Sequence, residues 1–329
     1  MKIALTGATG FVGRHVLPQL LSEGHTVRAL CRGRRPAADS RVTPVEGDLF
    51  TPAALRELMA GADAVVHLVG IIMERPGRGQ TFARVHVEGT RNLIKAAQAA
   101  CVKRWVHMSA LGSRPDGVST YHRTKWQAEE AVRAAGLDYT IFRPSLIHGP
   151  DGEFVQMVKD FCCGMLPPTP PFIPYFGTGH GVSDLLWLVK AGLWPFRGVG
   201  QPPYVARCQA GRLQPVWVQD VARVFAAAPN HPASVGETYP VGGPDVLTWP
   251  GLYETCHRHI PGALAKPILA LPVPVAKLMA RLPGVPFNLD QVIMSQEDSV
   301  CDTSKLTAEF GLSLAPFEPT FASYATQIE

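Results

Sequence analysis

A tyrosine and a lysine stand four residues apart at Tyr121 and Lys125, and this spacing places both on one face of a helix. An ammonium group lowers the pKa of a neighbouring phenol because it stabilises the phenolate. Such a tyrosine can pass a proton to or from a carbonyl or hydroxyl oxygen while a hydride moves. Ser109 ends the preceding predicted strand and can hydrogen-bond the same oxygen. We therefore expect these three residues to form the catalytic set.

The alternative is that the tyrosine and the lysine fall four apart by chance on a solvated helix. Their position favours chemistry, because they follow the fifth predicted strand, Trp105 to Met108, and its terminal Ser109. In an open parallel sheet, ligands bind in the crevice at the carboxyl ends of the strands.

Three glycines near the start of the chain, Gly7, Gly10 and Gly13, follow a short apolar strand and precede a helical pattern. Gly7 allows a tight turn, Gly10 lets the backbone approach a phosphate, and Gly13 lets the helix pack closely on the strand. The helix N-terminus points free N–H groups at a pyrophosphate. We predict a dinucleotide site here; the alternative is a structural glycine-rich turn. The same loop adds the candidate cofactor-binding residues Thr9, Phe11 and Val12.

The residues after the second predicted strand bear on which dinucleotide binds. An NAD-preferring site should carry an acidic residue here that accepts hydrogen bonds from the ribose hydroxyls. Arg32, Arg34 and Arg35 stand here instead and suit a 2′-phosphate, so NADP is favoured while NAD stays open. A solvated basic loop is the alternative interpretation.

Further candidates for cofactor binding lie where later strands end. Asp48 can accept a hydrogen bond from the adenine amino group, or it can cap the next helix, for which Thr51-Pro52 is another start. Lys125 can also hold the nicotinamide ribose. The remaining candidates are Leu49, Val69, Gly70 and Pro144.

Six predicted strands alternate with helices and indicate an α/β fold, a Rossmann-type doubly wound parallel sheet. The strands are Ile3 to Leu5, His25 to Leu30, Val42 to Val45, Ala64 to Val69, Trp105 to Met108 and Tyr139 to Phe142. A long helix is predicted from Thr81 to Ala100. His67, inside the fourth strand, is interpreted as a packed core histidine rather than a ligand.

The character of the chain changes after about residue 150. We predict an NAD(P)-binding domain over 1–150 and, over 151–329, a small C-terminal α/β lobe for substrate or partner, interleaved with late strands of the sheet. Pro167 to Pro174 is too rich in proline for regular structure. Ser183 to Phe196 is apolar, and we favour burial or a partner contact for it over an interfacial membrane helix. Glu237 to Val241 is predicted to be a late strand, and Thr248 a helix cap.

Composition excludes several classes of protein. The 329 residues are 46% hydrophobic and 18% charged, which is typical of a folded protein and not of a disordered one. A net charge of +4 without a basic helix or an aromatic RNA-binding motif does not favour nucleic acid. Seven cysteines without a Cys-x-x-Cys pair predict a reducing compartment.

The expected location is cytoplasmic. The chain opens on the first predicted strand, so no leader peptide is expected, and no apolar run reaches the ~18 residues that span a bilayer. Peripheral membrane contact stays open through Ser183 to Phe196. No metal site is predicted, because His257 and His259 face different sides of a helix and lack a third ligand. The adjacent Cys162 and Cys163 are interpreted as packing residues.

Taken together, these motifs resemble the short-chain dehydrogenase/reductase superfamily, in its extended, epimerase-like branch. The resemblance rests on Gly-Ala-Thr-Gly-Phe-Val-Gly at residues 7–13, the strand end at Ser109, Tyr121-x-x-x-Lys125 and Arg143-Pro144-Ser145. Three stretches are similar to the atypical group that includes the nine-alpha accessory subunit of respiratory complex I and its bacterial relatives. They are residues 86–93, residues 107–112, and the run from 121 through 130 to 142–144.

The resemblance implies a Rossmann domain that holds NAD(P), with Gly7, Gly10 and Gly13 at the pyrophosphate. It also implies that Arg32 meets the adenosine ribose or its phosphate and that Asp48 meets adenine. Tyr121 and Lys125 are then the catalytic pair or its remnant. The superfamily often has an asparagine that completes a proton relay where this chain has His86.

Two hypotheses follow for function. The first is an NADP-preferring oxidoreductase or epimerase that acts on a small carbonyl or hydroxyl substrate through Tyr121, Lys125 and Ser109. The second is a non-catalytic accessory or assembly protein that holds the nucleotide and is linked to respiratory complex I or to quinone metabolism, because related subunits bind the nucleotide without turning it over.

Overall fold

The computed structural model describes residues 1–165, 172–177, 210–282, 285 and 287–328. Its strands are β1 (Lys2–Thr6), β2 (Thr26–Cys31), β3 (Val42–Glu46), β4 (Ala64–His67), β5 (Arg104–Met108), β6 (Asp138–Pro144), β7 (Ile147–His148), β8 (Ile173–Gly177), β9 (Arg212–Leu213), β10 (Val216–Trp217), β11 (Glu237–Val241), β12 (Leu247–Thr248) and β13 (Ile268–Pro272).

The helices alternate with these strands over the first half of the chain. They are α1 (Phe11–Ser22), α2 (Pro52–Met59), α3 (Gly89–Ala99), α4 (Thr120–Arg133), α5 (Glu153–Cys163), α6 (Val218–Ala227), α7 (Trp249–His259), α8 (Val273–Met279), α9 (Leu289–Met294), α10 (Ser304–Phe310) and α11 (Phe317–Tyr324). A π-helical segment, Ala83–Glu88, leads directly into α3.

Seven of the strands form one parallel sheet in the order β11-β6-β5-β4-β1-β2-β3. Both faces of the sheet are covered, so its central strands are continuous apolar runs, as in Ala64–His67, where all four residues are buried. Helix α1 packs against α6, and α3 packs against both α2 and α4. The predicted doubly wound α/β fold is confirmed, and Glu237–Val241 is the seventh strand of its sheet.

The chain divides into two compact units, and each is made of several segments. The first unit holds the seven-stranded sheet and comprises Met1–Ser145, Val218–Gly242 and Cys301–Leu314. The second comprises Leu146–Trp217, Gly243–Val300 and Ala315–Glu329. Within the described residues, none of the helices combines the length and the apolar character needed to cross a bilayer.

The second unit is built from short strand pairs around its own apolar core. β7 pairs with β10, β8 with β13 and β9 with β12. Side chains from α5, α7 and α11 fill the core, among them Phe161, Leu252 and Phe321. Thr248 caps α7 as expected, with its Oγ1 accepting a hydrogen bond from the amide of Gly251.

Two expectations from the sequence need correction. Pro167 to Pro174 was expected to lack regular structure, but Ile173 and Pro174 begin β8, which pairs in parallel with β13. A proline is tolerated there because a two-stranded pair consists only of edge strands. The helix expected from Thr81 to Ala100 is also two pieces, the π-helical segment and α3. The expectation for Ser183 to Phe196 concerns residues outside the described ranges.

Candidate active site

The glycine loop joins β1 to α1, and β1 lies between β4 and β2 in the sheet. Gly7 has φ +82°, a left-handed conformation that glycine adopts without strain. Its carbonyl accepts a hydrogen bond from the Gly10 amide at 3.0 Å, which closes the turn. A Cβ atom at Gly13 would lie 2.0 Å from the Gly7 oxygen, so only glycine lets α1 start this close to the loop.

Gly10 is the N-cap of α1 and is exposed. A glycine has no side chain that could hydrogen-bond the first amides of the helix, and those amides carry the positive end of the helix dipole. This arrangement fits the pyrophosphate of a dinucleotide. Thr9, Phe11 and Val12 flank Gly10 in the same turn and in the first residues of α1.

The other candidate cofactor residues lie on both sides of this loop. Arg32 follows β2, and Asp48 and Leu49 follow β3, on one side of β1 in the strand order. Val69 and Gly70 follow β4 and Pro144 ends β6, on the other side. This order places one group of candidates on each side of the glycine loop, which suits a ligand with two nucleotide halves.

Asp48 begins a turn in this structure. Its Oδ1 accepts hydrogen bonds from the Phe50 amide at 2.9 Å and from the Thr51 hydroxyl at 2.8 Å. Helix α2 starts at Pro52 with Thr51 as its N-cap, so the Thr51-Pro52 start weighed in the sequence is the one used. The role of Asp48 at adenine stays a prediction.

The basic loop after β2 contains a neighbour that the sequence did not suggest. Glu46, at the end of β3, accepts a hydrogen bond from the Gly33 amide on Oε1 at 2.9 Å. Its Oε2 lies 3.9 Å from Nε of Arg35. A carboxylate is therefore present at the end of β2 in space, although in the sequence it lies 13 residues from Gly33.

Helix α4 carries Tyr121 and Lys125 on one face. Ser119 caps the helix, since its Oγ accepts a hydrogen bond from the His122 amide at 3.1 Å. The Lys125 ammonium donates to the carbonyl of Met108, the last residue of β5, at 3.0 Å. A Cβ at position 70 would lie 2.8 Å from this ammonium, so a glycine at this position provides the room that the Lys125 side chain needs.

Burial displaces the pKa values of both groups. It lowers the pKa of Lys125 to about 8, although the Glu129 carboxylate one turn away acts in the opposite direction. It raises the pKa of Tyr121 to about 12. The sequence suggested that the ammonium would lower the tyrosine pKa; in this structure desolvation of the phenol decides instead, and the tyrosine is protonated at neutral pH.

Ser109 lies directly after β5 and is buried. Its amide donates to the carbonyl of Phe142 in the neighbouring strand at 2.8 Å, and its hydroxyl donates to Ser113 Oγ at 3.1 Å. The side chain is thus held by its own loop at the carboxyl end of the sheet. Its role at a substrate oxygen stays a prediction.

His86 lies in the π-helical segment and connects three parts of the site. Its Nε2 is 3.1 Å from both the amide and the carbonyl of Ile71, and its Nδ1 is 3.0 Å from Thr124 Oγ1 on α4. Its ring stacks on Phe82 and meets the Tyr121 ring edge-on at 5.5 Å. Burial and the Lys125 charge hold the pKa of His86 well below its usual range, so the ring is neutral.

Two further histidines are buried beside this site on adjacent strands. His67 Nε2 pairs with Thr90 Oγ1, which itself donates to the His86 carbonyl, so Nε2 carries the proton. Its Nδ1 then accepts from Thr6 Oγ1 at 2.6 Å. His107 is its partner in register across β4 and β5, at 5.4 Å between the rings. Neither His107 nitrogen has a hydrogen-bond partner among the described residues.

A buried carboxylate lies one turn beyond Lys125 on the same helix face. Glu129 accepts two hydrogen bonds from the Arg143 guanidinium, at 2.8 and 2.6 Å, and one from Arg133 at 2.7 Å. Arg143 precedes Pro144 near the end of β6. The pattern Tyr121, Lys125, Glu129 at intervals of four could have found this residue in the sequence.

The weaker motifs have contacts within the second unit. His257 Nε2 lies 2.8 Å from the Leu264 carbonyl and His259 Nε2 lies 3.0 Å from a Glu318 carboxylate oxygen. Cys162 is fully buried in the core of the second unit and Cys163 is partly buried beside it. Burial raises the pKa of both thiols, which makes them poor nucleophiles.

Comparison with known proteins finds a family model that matches the glycine-loop region. Residues 7–160 match the protein-family model described as NAD(P)H-binding. A ceramide reductase from Caulobacter vibrioides is 41% identical over 152 residues, which cover 45% of this chain and 47% of that protein. The chain therefore spans about half the length of this reductase.

A second relative aligns along nearly the whole chain. Subunit 9 of the mitochondrial NADH dehydrogenase [ubiquinone] 1 alpha subcomplex from Arabidopsis thaliana is 28% identical over 335 aligned positions, 94% of this chain and 73% of that protein. The crystal structure of a short-chain dehydrogenase/reductase superfamily protein from Agrobacterium tumefaciens with bound NAD superposes with a TM-score of 0.67 at 22% identity, covering 99% and 97% of the two chains.

These matches confirm the resemblance and the NAD(P) cofactor predicted from the sequence, without separating NADP from NAD. Residues 7–160 match the NAD(P)H-binding family model, in a chain that is similar along nearly its whole length to the subunit 9 protein and has the fold of the short-chain dehydrogenases/reductases.

Proposed function

We propose that this protein is an NAD(P)(H)-dependent oxidoreductase that reduces a carbonyl group, with Tyr121 as the proton donor. The observation that carries the proposal is the position of Tyr121 and Lys125 one turn apart on α4, with the buried ammonium held at the end of β5 beside Gly70. The chemistry that a bound NAD(P)H supplies there is hydride transfer.

The residues of the site divide the remaining work. The protonated Tyr121 gives its proton to the carbonyl oxygen, and the Lys125 ammonium stabilises the phenolate left behind. When a substrate binds, the Ser109 hydroxyl turns away from Ser113 Oγ and donates its hydrogen bond to the same oxygen. The His86 ring contacts the Tyr121 ring and is itself hydrogen-bonded to the Ile71 backbone, so His86 positions the tyrosine that donates the proton.

An apolar substrate fits the loops around this tyrosine. The loop after β4 exposes Ile72 to 45% and Met73 to 37%, directly after the Ile71 that His86 holds. Val118, exposed to 42%, precedes the cap of α4. Loops normally expose polar residues, so the exposed apolar side chains on these two loops favour an apolar ligand. The relative from Caulobacter vibrioides is named as a reductase of ceramide, which is a lipid.

Tyr121→Phe tests the catalytic assignment. With NADPH and a panel of long-chain ketones, we expect kcat to fall by about 10²- to 10⁴-fold because the proton donor is lost, while NADPH binding is unchanged. Tyr139→Phe, in β6, is the matched control and keeps full activity. A Tyr121→Phe variant as active as the wild type would overturn the assignment.

A second candidate function is a protein that holds its nucleotide and acts in assembly or as an accessory subunit of a respiratory complex. The observation that favours it is alignment length: the complex I subunit aligns over 94% of this chain, whereas the ceramide reductase aligns over 45%. Contact with the complex, or with the membrane surface beside it, belongs to this candidate.

The rate at which the nucleotide is released and oxidised separates the two candidates. A protein that retains NADPH through dialysis and oxidises it with neither ketones nor quinones supports the accessory role. Comigration with a respiratory complex on a native gel would support the same role. Steady oxidation of NADPH by an added ketone supports the reductase.

A further inference from the structure

The junction between β2 and β3 brings an acidic and a basic element together. Cys31 and Glu46, the last residues of the two strands, are partners in register. After Cys31 the chain continues as Arg32-Gly33-Arg34-Arg35, and all four residues are exposed. Glu46 reaches across to this loop, with one carboxylate oxygen on the Gly33 amide at 2.9 Å and the other 3.9 Å from Arg35 Nε.

The position of this contact gives it a meaning for nucleotide binding. In a Rossmann domain the end of β2 lies at the 2′ position of the adenosine ribose, where a carboxylate accepts from a hydroxyl or an arginine receives a phosphate. Here both kinds of group are present. The arginines attract a 2′-phosphate, whereas the Glu46 carboxylate already occupies an amide and a guanidinium that such a phosphate could use.

We propose that Glu46 is the residue that sets the choice between NADPH and NADH in this protein. It accepts a hydrogen bond from the 2′-hydroxyl of NADH and repels the 2′-phosphate of NADPH. The acidic residue that the sequence lacks at the end of β2 is thus supplied by the end of β3. This inference rests on nucleotide binding and not on turnover, so it holds for either candidate function.

The geometry indicates that charge, and not the shape of the site, determines which of the two nucleotides binds. Glu46 is more than half exposed, so its side chain can turn away from the loop without leaving a cavity. A Cβ at Gly33 would meet nothing within 4 Å, so the loop is not sterically closed to a phosphate. What remains is the repulsion between a carboxylate and a phosphate, which weakens as salt is added.

The test is direct binding of both nucleotides. Dissociation constants for NADPH and NADH are measured by nucleotide fluorescence with wild-type protein and with Glu46→Gln, at fixed pH and salt. Removing the charge should tighten NADPH and weaken NADH, which changes the ratio of the two constants by about tenfold, the equivalent of roughly 1.4 kcal/mol. Raising the salt concentration should reduce this difference between the two proteins.

Two further variants sharpen the result. Glu57→Gln removes an exposed carboxylate on α2, and we expect the ratio to stay at the wild-type value. Glu46→Asp keeps the charge but shortens the reach to the Gly33 amide, so its ratio should lie between those of the wild type and Glu46→Gln. Circular dichroism melting checks that each variant is folded.

Each remaining outcome counts against a defined statement. A Glu46→Gln protein that is folded and binds both nucleotides in the wild-type ratio overturns the role of Glu46. The same ratio change in Glu57→Gln also overturns it, because the effect would then be one of overall charge. If the wild-type protein binds neither nucleotide, the role of Glu46 and the assignment of an NAD(P) cofactor are both overturned. A shifted ratio without any turnover supports Glu46 and removes only the proposed reductase activity.

Discussion

Lys125 and Tyr121 show how one buried environment acts on two kinds of acid. Desolvation disfavours the charged form of each, so the pKa of the ammonium falls to about 8 and that of the phenol rises to about 12. At neutral pH both groups therefore carry their protons. A protonated phenol suits a residue that gives a proton to a carbonyl oxygen, which is the direction that reduction requires.

Glu129 provides a sharp test of buried charge at the residue scale. It is fully buried between two arginines, whereas the adjacent Glu130 is about half exposed and pairs with Arg133 alone. Glu129→Ala leaves Arg143 without its carboxylate, and we expect the free energy of unfolding to fall by about 3–5 kcal/mol. Glu130→Ala should cost at most about 1 kcal/mol.

Urea unfolding of the two variants measures both values. Because the substitutions are the same and the positions are neighbours on α4, helix propensity is matched between them. Equal losses for Glu129→Ala and Glu130→Ala would contradict a special role for the buried carboxylate.

Single residues also mark the limit of what the sequence could predict. The glycine loop and the Tyr121–Lys125 pair are local patterns, and local spacing sufficed to find them. Glu46 and His86 act through contacts that span 13 and 38 residues of chain, to Gly33 and Thr124. No local pattern encodes such pairs, since they exist only once the strands are in register.

At the scale of elements, alternation of apolar strands with helices predicted the sheet. Each of the six predicted strands exists, and no end differs by more than two residues, as at Thr26–Cys31 and Ala64–His67. The π-helical segment Ala83–Glu88 could not be predicted, because its residues also suit an ordinary helix. It carries His86 to Ile71 and Thr124, and such segments often lie at functional sites.

A buried histidine on strand β5, His107, should make the stability of the fold decrease at acidic pH. Burial holds the pKa of His107 well below that of an exposed histidine, so the folded state stays unprotonated while the unfolded state gains a proton below about pH 6.5. Stability therefore falls as the pH falls below this value. His107→Leu should flatten that fall by up to about 1.4 kcal/mol per pH unit and also remove a buried polar group without a partner.

Urea unfolding at several pH values between 4.5 and 7.5 measures the slope. Trp105→Phe is the matched control, since Trp105 lies on the same strand and its indole nitrogen also has no partner among the described residues, yet it does not titrate. A slope that is unchanged in His107→Leu, or that changes equally in Trp105→Phe, would contradict the prediction.

At the scale of the molecule, the unit with the large sheet depends on late parts of the chain. Phe142, buried in β6, packs against Phe225 of α6, Tyr239 of β11 and Phe310 of α10. We therefore do not expect residues 1–150, the domain predicted from the sequence, to fold independently of the later chain. The sequence predicted β11 as a late strand, but composition could not assign α6 and α10 to this unit, because apolar helices of this kind suit either unit.

A chain of residues 1–150 should fail to unfold cooperatively. It lacks the three aromatic partners of Phe142 and leaves β6 as an open, apolar sheet edge, which favours association. Thermal melting by circular dichroism and size-exclusion chromatography provide the measurement, with residues 1–329 as the control. A monomeric fragment with a single cooperative transition would contradict the expectation.

Because β11 is added to the sheet late in the sequence, the strands of the sheet are synthesised in two stages. Strand β6 leaves the ribosome roughly a hundred residues before β11, its neighbour, a delay of about 5–20 s at ordinary rates of translation. The glycine loop and α4 are already present during that interval. Their sheet stays incomplete until β11 is made, so association of the open β6 edge with another chain competes with folding during that interval.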